Sequence, residues 1–278
     1  MSGTAFPPLA WIDIDWQGRA VRIEHQWLNT HRRDAPLLVF LHEGLGSVAM
    51  WRDYPQQLCD ALKVRGLVYS RPGYGQSTPR DPDEHWAPDF MHRQAHEVLP
   101  ALLDALGVKQ TPWLVGHSDG GSISLLYASR HRAAGLIVMA PHIVVEAVSI
   151  TRIGHARQAY KDTDLRARLK RYHADVDSAF WGWNNIWLDP SFRTWSIEED
   201  ISTITCPVLA IQGMDDEYGT LAQIKGIAQQ LPQAQLLELA NCGHSPHRDQ
   251  PLALTQACLS FFNAHHTSPI SHHVHFQN

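Results

Sequence analysis

Three side chains in this sequence could together turn a hydroxyl into a nucleophile. Ser118 lies in Gly116-His117-Ser118-Asp119-Gly120-Gly121, between a short apolar run, Trp113-Leu114-Val115, and a helix-like stretch over 122–130. A G-x-S-x-G set between a strand and a helix holds its serine at a sharp, strained turn. A side chain at position 116 or 120 would crowd that turn, so glycine at both is part of the signal. The helix that follows aims its first N–H groups at the serine, which favours negative charge there. A serine hydroxyl is a weak nucleophile at neutral pH and needs a histidine to take its proton and an acid to orient that histidine. Both residue types follow in the chain. Gly213-Met214-Asp215-Asp216-Glu217 closes the apolar run 207–213, and Asn241-Cys242-Gly243-His244-Ser245-Pro246-His247 closes the run 235–240. Asp216 competes with its neighbour Asp215 as the acid, and His244 competes with His247 as the base. Ser118 could alternatively serve only as a helix cap, and His117 is expected to be a packed neighbour.

These groups work only if strands and helices bring them together. Residues 9–16 and 19–28 read as a hairpin turning at Gln17-Gly18. Further strands are expected at 36–42, 67–70, 113–116, 135–140, 207–212 and 235–240. Helices are expected at 54–64, 92–106 (stopped by Gly107), 221–231 and 251–263. Strands alternating with helices imply a mainly parallel, covered sheet. Between 142 and 204 the alternation stops. That segment reads as helical, with a helix over 156–173, and carries Phe180, Trp181, Trp183, Trp187, Phe192 and Trp195.

Five motifs in order and spacing resemble the α/β-hydrolase fold family over nearly the whole chain. They are Leu41-His42-Glu43-Gly44-Leu45-Gly46-Ser47, Arg71-Pro72-Gly73-Tyr74-Gly75-Gln76-Ser77, the Ser118 turn, Gly213-Met214-Asp215-Asp216, and Gly243-His244-Ser245-Pro246 ending in Asp249-Gln250-Pro251. The resemblance implies an eight-stranded, mainly parallel sheet covered by helices. It also implies core segments at 1–141 and 205–264, and a helical cap at 142–204 after the sixth strand. It assigns Ser118 as nucleophile, Asp216 as acid (third after the glycine of G-x-x-D) and His244 as base.

The resemblance further implies an oxyanion hole made by the backbone N–H groups of Asp119 and Gly44. Glu43 stands where many relatives carry glycine. It is the lesser candidate for the donor, and a candidate to face the substrate. The Asp119 side chain either complements the helix N-terminus or reads a cationic substrate group. Trp181, Trp183 and Trp187 are expected to line a substrate pocket under the cap. The expected activity is hydrolysis of a small or medium carboxylic ester or thioester through an acyl-enzyme. The alternatives are carbon–carbon bond hydrolysis of dienoic ring-cleavage products and a non-catalytic ligand receptor. An aspartate nucleophile, as in dehalogenases and epoxide hydrolases of this fold, is excluded because Ser118 holds that place.

Composition fits a compact catalyst of a small molecule. Of 278 residues, 44% are hydrophobic and 18% charged, enough for a sizeable core. A net charge of −5 with no basic run argues against nucleic acid as a partner. No apolar run approaches the ~20 residues of a membrane span, and the N-terminus does not read as a signal peptide. Cys59, Cys206, Cys242 and Cys258 are scattered, without metal spacing, and fit free thiols in a reducing, cytoplasmic setting. No cofactor motif and no metal site are expected. The histidines at 265, 266, 272, 273 and 275 read as a solvated tail beginning at 265. No heptad or exposed apolar repeat sets an oligomeric state.

Overall fold

The strands are short Val-, Leu- and Ile-rich runs, and in the computed structural model, which describes residues 8–266, they form one eight-stranded sheet. They are β1 (Leu9–Trp16), β2 (Arg19–Leu28), β3 (Leu37–Leu41), β4 (Arg65–Tyr69), β5 (Trp113–His117), β6 (Gly135–Met139), β7 (Val208–Gly213) and β8 (Gln235–Leu239). Their spatial order is β1-β2-β4-β3-β5-β6-β7-β8. β1 pairs antiparallel with β2, and β2 with β4, while every other neighbouring pair is parallel. Burial follows from this layering. β3, β5, β6 and β7 are buried at every position, as strands covered on both faces must be, whereas edge strand β1 alternates.

Successive residues of a strand point to opposite faces. Leu38 and Phe40 therefore pack with α1 (Tyr54–Leu62), while Leu37, Val39 and Leu41 face the other way, toward α2 (Phe90–Arg93), α3 (Leu99–Ala105) and α4 (Asp119–Arg130). A π-helical turn, Gln94–Val98, joins α2 to α3. After β6 come α5 (Ala147–Asp162), α6 (Leu165–Leu169), α7 (Val176–Leu188) and α8 (Glu198–Ile201). Phe180, Trp183, Trp187 and Phe192 of this insertion share one apolar cluster with Leu41 and Ile123, so the insertion is packed onto the sheet side that carries α4. The chain ends with α9 (Ala222–Gln230), α10 (Pro246–Asp249) and α11 (Pro251–His265), the last packing with α1.

The expected strands and most helices appear within two residues of their expected bounds. The insertion differs. In place of one helix over 156–173, α5 starts at Ala147, and the chain breaks at Thr163, whose backbone is extended (φ −125°, ψ −173°). Val148, Ile150, Thr151 and Ile153 are β-branched and argue against a helix locally. Tertiary contact overrides that preference: Ile153 is buried, and the buried Ser149 hydroxyl donates to the Tyr218 carbonyl (2.6 Å). Of the histidine-rich tail, His265 ends α11, while His272, His273 and His275 lie outside the described residues. Among the described residues, no His/Cys/Asp/Glu group is arranged to hold a metal, no helix is long and apolar enough to cross a membrane, and all four cysteines are free thiols.

Candidate active site

The Ser118 turn joins β5 to α4 with φ 52° and ψ −121°, a left-handed conformation that a serine adopts only when its surroundings force it. The Ser118 N–H donates to the Met139 carbonyl (2.9 Å), and its own carbonyl accepts from Gly121 N (2.8 Å). A Cβ at Gly116 would run into the Gly120 carbonyl, and one at Gly120 into the Leu41 carbonyl. The two glycines let strand, turn and helix approach that closely.

His244 Nε2 is 3.0 Å from Ser118 Oγ, and His244 Nδ1 is 2.9 Å from Asp216 Oδ1. The ring thus donates its Nδ1 proton to Asp216 and offers the Nε2 lone pair to the serine hydroxyl. Asp216 is held from several directions: Tyr218 N and Gly219 N donate to Oδ1 (2.8 and 3.3 Å), and Gln212 Nε2 donates to Oδ2 (2.6 Å). Burial alone would raise its pKa. The His244 contact and the Tyr218 N–H outweigh that and hold the carboxyl below its ordinary range. Asp215 is exposed, a loop residue beside this cage. His247 is buried against the Trp51 and Tyr54 rings, and burial pushes its pKa down to about 2.

The loop after β3 is braced from below by Arg71. Arg71 N donates to His42 Nε2 (3.0 Å), which leaves His42 Nδ1–H to donate to the Glu43 carbonyl (2.7 Å). Arg71 Nη2 donates to that same carbonyl (2.9 Å). From the insertion, His173 accepts from Gly75 N (3.0 Å) and donates to the Leu45 carbonyl (3.0 Å). Gly44 sits in this clamped loop, with the Trp183 indole nitrogen directly against it. The Glu43 carboxylate has His117 Nδ1 and Arg248 Nη2 as neighbours, each at 3.6 Å. His117, with Nε2 donating to the His244 carbonyl (2.7 Å), is the packed neighbour expected of it.

Asp119 follows the serine and is buried, with Oδ1 accepting from the Trp187 indole N–H (3.2 Å). Arg71 Nη2 lies 3.8 Å from Oδ2, so a fixed cation already faces this carboxylate. Trp183 and Trp187 are one helical turn apart on α7 and share a face, which the structure brings to Gly44 and Asp119. Trp181, the third tryptophan expected at the pocket, has other partners. Two residues from Trp183, it points elsewhere, packing edge-on against Tyr160 and Phe180 (ring centres 5.4 and 5.0 Å).

A profile described as the alpha/beta hydrolase family matches residues 38–257. The chain belongs to the alpha/beta hydrolase family. It is 27% identical over 268 residues to the "Putative carbamate hydrolase RutD" of Pseudomonas savastanoi pv. phaseolicola, covering 86% of this chain and 98% of that one. It is also 27% identical over 256 residues to the 2-succinyl-6-hydroxy-2,4-cyclohexadiene-1-carboxylate synthase of Klebsiella pneumoniae subsp. pneumoniae, covering 81% and 92%. Among solved structures, a thermophilic esterase from Thermogutta terrifontis superposes with a TM-score of 0.71 at 18% identity, covering 93% of this chain and all (100%) of the other, a likeness of fold.

This alpha/beta hydrolase also places at the site three residues to which motif and spacing assign no role. Arg71 and Tyr74 belong to the 71–77 motif. His142 follows β6. It is buried, its ring centre lies 4.9 Å from Trp187 and 6.0 Å from His244, and burial pushes its pKa down to about 3. A usable signal existed: Arg71 and His142 are polar residues just past the C-terminal ends of buried strands β4 and β6, where open α/β sheets bind ligands.

Proposed function

We propose that this alpha/beta hydrolase is a serine hydrolase that cleaves a small or medium carboxylic ester or thioester through an acyl-enzyme on Ser118. The observation that carries this reading is the continuous chain Ser118 Oγ–His244 Nε2 (3.0 Å) and His244 Nδ1–Asp216 (2.9 Å). In this reading Asp216, kept ionised, fixes the His244 tautomer that can accept the serine proton and stabilises the imidazolium that forms. Ser118 attacks the substrate carbonyl, and the backbone N–H groups of Asp119 and Gly44 receive the developing oxyanion. Losing one such donor typically costs ~2.7–4 kcal/mol of barrier. His244 then protonates the leaving group, and the same base activates water to release the acid. The insertion 142–204 acts as the cap. Trp183 and Trp187 form its roof over Ser118 and keep bulk water from the acyl-enzyme.

The names of the relatives widen the substrate panel. A carbamate presents the same carbonyl to the same attack, so carbamate esters belong beside carboxylic esters and thioesters. The test is hydrolysis of p-nitrophenyl esters of increasing chain length, with aryl carbamates alongside, by wild type and Ser118→Ala. Turnover that vanishes in Ser118→Ala supports the reading, and the chain-length profile sizes the acyl pocket. Folded wild-type protein that turns over none of them contradicts it.

A further inference from the structure

Asp119 carries an unfinished hydrogen-bond set. Its side chain is 1% exposed, yet Oδ2 has no hydrogen-bond partner among the described residues. Arg71 Nη2, at 3.8 Å, is too far to donate. A second orphan belongs to a ring beside the same guanidinium. Among the described residues the Tyr74 hydroxyl is also buried without a partner, and the Arg71 guanidinium carbon stands 4.7 Å from the centre of the Tyr74 ring. Buried polar atoms in folded proteins are nearly always bonded, and leaving a charged one unpaired is costly. Service to the N-terminus of α4 does not by itself account for such burial, because that interaction is modest even in partly buried sites, while removing a carboxylate from water is costly.

The position of the orphans is informative. Asp119 is covalently next to the candidate nucleophile, and Trp187 of the roof holds its other oxygen. Arg71 Nη2 spans Asp119 and the Glu43 carbonyl, so this carboxylate and the backbone of the loop bearing Gly44 lie within reach of one guanidinium group. Any substrate whose carbonyl enters between Ser118 and that loop brings its nearby substituents to Asp119. Charge then narrows the class. Arg71 already compensates Asp119, and a substrate ammonium group would meet the guanidinium as well as the carboxylate. A neutral O–H or N–H donor has only the orphan acceptor to satisfy.

We propose that Asp119 Oδ2, with the Tyr74 hydroxyl beside Arg71, forms a polar subsite accepting a hydrogen bond from a neutral hydroxyl or amide N–H carried close to the scissile carbonyl. The subsite rests on the serine-hydrolase reading and names its substrate class: hydroxy- or amido-substituted acyl compounds rather than plain alkyl or ammonium-bearing ones.

The experiment compares kcat/KM for p-nitrophenyl butyrate, its 2-hydroxy, 3-hydroxy and 3-amino analogues, and p-nitrophenyl N-acetylglycinate. Each rate is divided by the ester's rate of alkaline hydrolysis. The proteins are wild type, Asp119→Leu and Tyr74→Phe, and labelling of Ser118 by a fluorophosphonate is followed in each. The wild type is expected to favour at least one neutral donor-bearing ester over butyrate by about ten-fold or more, the range of one hydrogen bond to a charged group. That preference should collapse toward unity in Asp119→Leu and fall in Tyr74→Phe, while labelling persists. A wild type without the preference, or one whose preference is highest for the amino ester, overturns the subsite. So does a preference that survives in every variant that folds; water alone then serves the orphan atoms. Absent labelling of wild-type Ser118 contradicts the serine reading itself and removes the subsite with it.

Discussion

Two buried carboxylates flank Ser118, and they have opposite surroundings. Asp216, at the end of β7, accepts from His244, from Gln212 and from two backbone N–H groups. Asp119, at the start of α4, accepts among the described residues from Trp187 alone, which leaves one oxygen without a bond. Both side chains are 1% exposed, so burial pushes both pKa values upward. At Asp216 the donors reverse the push and the pKa is lowered. At Asp119 burial outweighs Arg71 and Trp187, and the pKa is raised. The lesson is that donor count rather than depth sets the state of a buried acid. Asp216 is built to stay charged and hold a ring in place. Asp119 is built with a vacancy in its hydrogen bonding.

The largest expected effect comes from breaking the filled side. Asp216→Asn keeps the shape but no longer accepts the Nδ1 proton with a full charge, and the wrong His244 tautomer becomes available. Steady-state kinetics should show kcat reduced by about 10⁴-fold, the scale seen when such an acid is amidated. Asp119→Asn should reduce kcat far less, because its proposed catalytic atom is the backbone N–H. Equal losses in the two variants would erase the distinction between them.

Packing gives the next effect. Gly120→Ala drives a Cβ into the Leu41 carbonyl, a backbone atom that cannot swing aside. Urea unfolding should show a loss of about 3 kcal/mol or more, the cost of overpacking at its upper end. Gly154→Ala is the control: nothing lies within 4 Å of the added atom, and a helical glycine gains from the change.

Acid stability is a further test. His42, His142 and His247 are buried with pKa values below the ordinary 6.5. Below pH 6.5 the unfolded chain takes up protons that these rings refuse in the fold. Their contribution is therefore complete above 6.5 and falls with pH, by up to about 1.4 kcal/mol per pH unit for each ring. Unfolding midpoints measured from pH 7 to pH 5 should drop steadily; a flat profile would contradict the burial of these rings as neutral groups.

The smallest effect sharpens the carboxylate pair through linkage. The lowered pKa of Asp216 means that its ionised form stabilises the fold above the ordinary carboxylate range, and that this is lost as pH falls through the lowered pKa. The raised pKa of Asp119 has the reverse sign: ionisation works against the fold above the ordinary range. At pH 7, Asp216→Asn should therefore lower Tm. Asp119→Asn should raise it slightly, by about 1–2 °C, and both differences should shrink in acid.

Much of this was legible in the sequence for a physical reason. Ser118, Asp216 and His244 sit in turns that glycine and strand endings mark locally, and the parallel strands read as continuous apolar runs because they are buried on both faces. The directions of Trp181 and Glu43 were not legible. Trp181, Trp183 and Trp187 are alike in composition, and only the phase of α7 separates the pair facing Gly44 and Asp119 from the one facing Tyr160. Glu43 turns to His117 and Arg248, residues 74 and 205 positions away in the chain. Arg71 and His142 were hidden for the same reason: their partners are assembled by the fold and have no spacing to detect.

The most direct test of the central claim is to trap the acyl-enzyme. The protein is mixed with a p-nitrophenyl ester that it turns over, quenched in acid during turnover, digested and weighed by mass spectrometry. The mass of the acyl group is expected on the peptide bearing Ser118, with no adduct in Ser118→Ala. Turnover with no adduct on that peptide, or turnover that survives in Ser118→Ala, would contradict it.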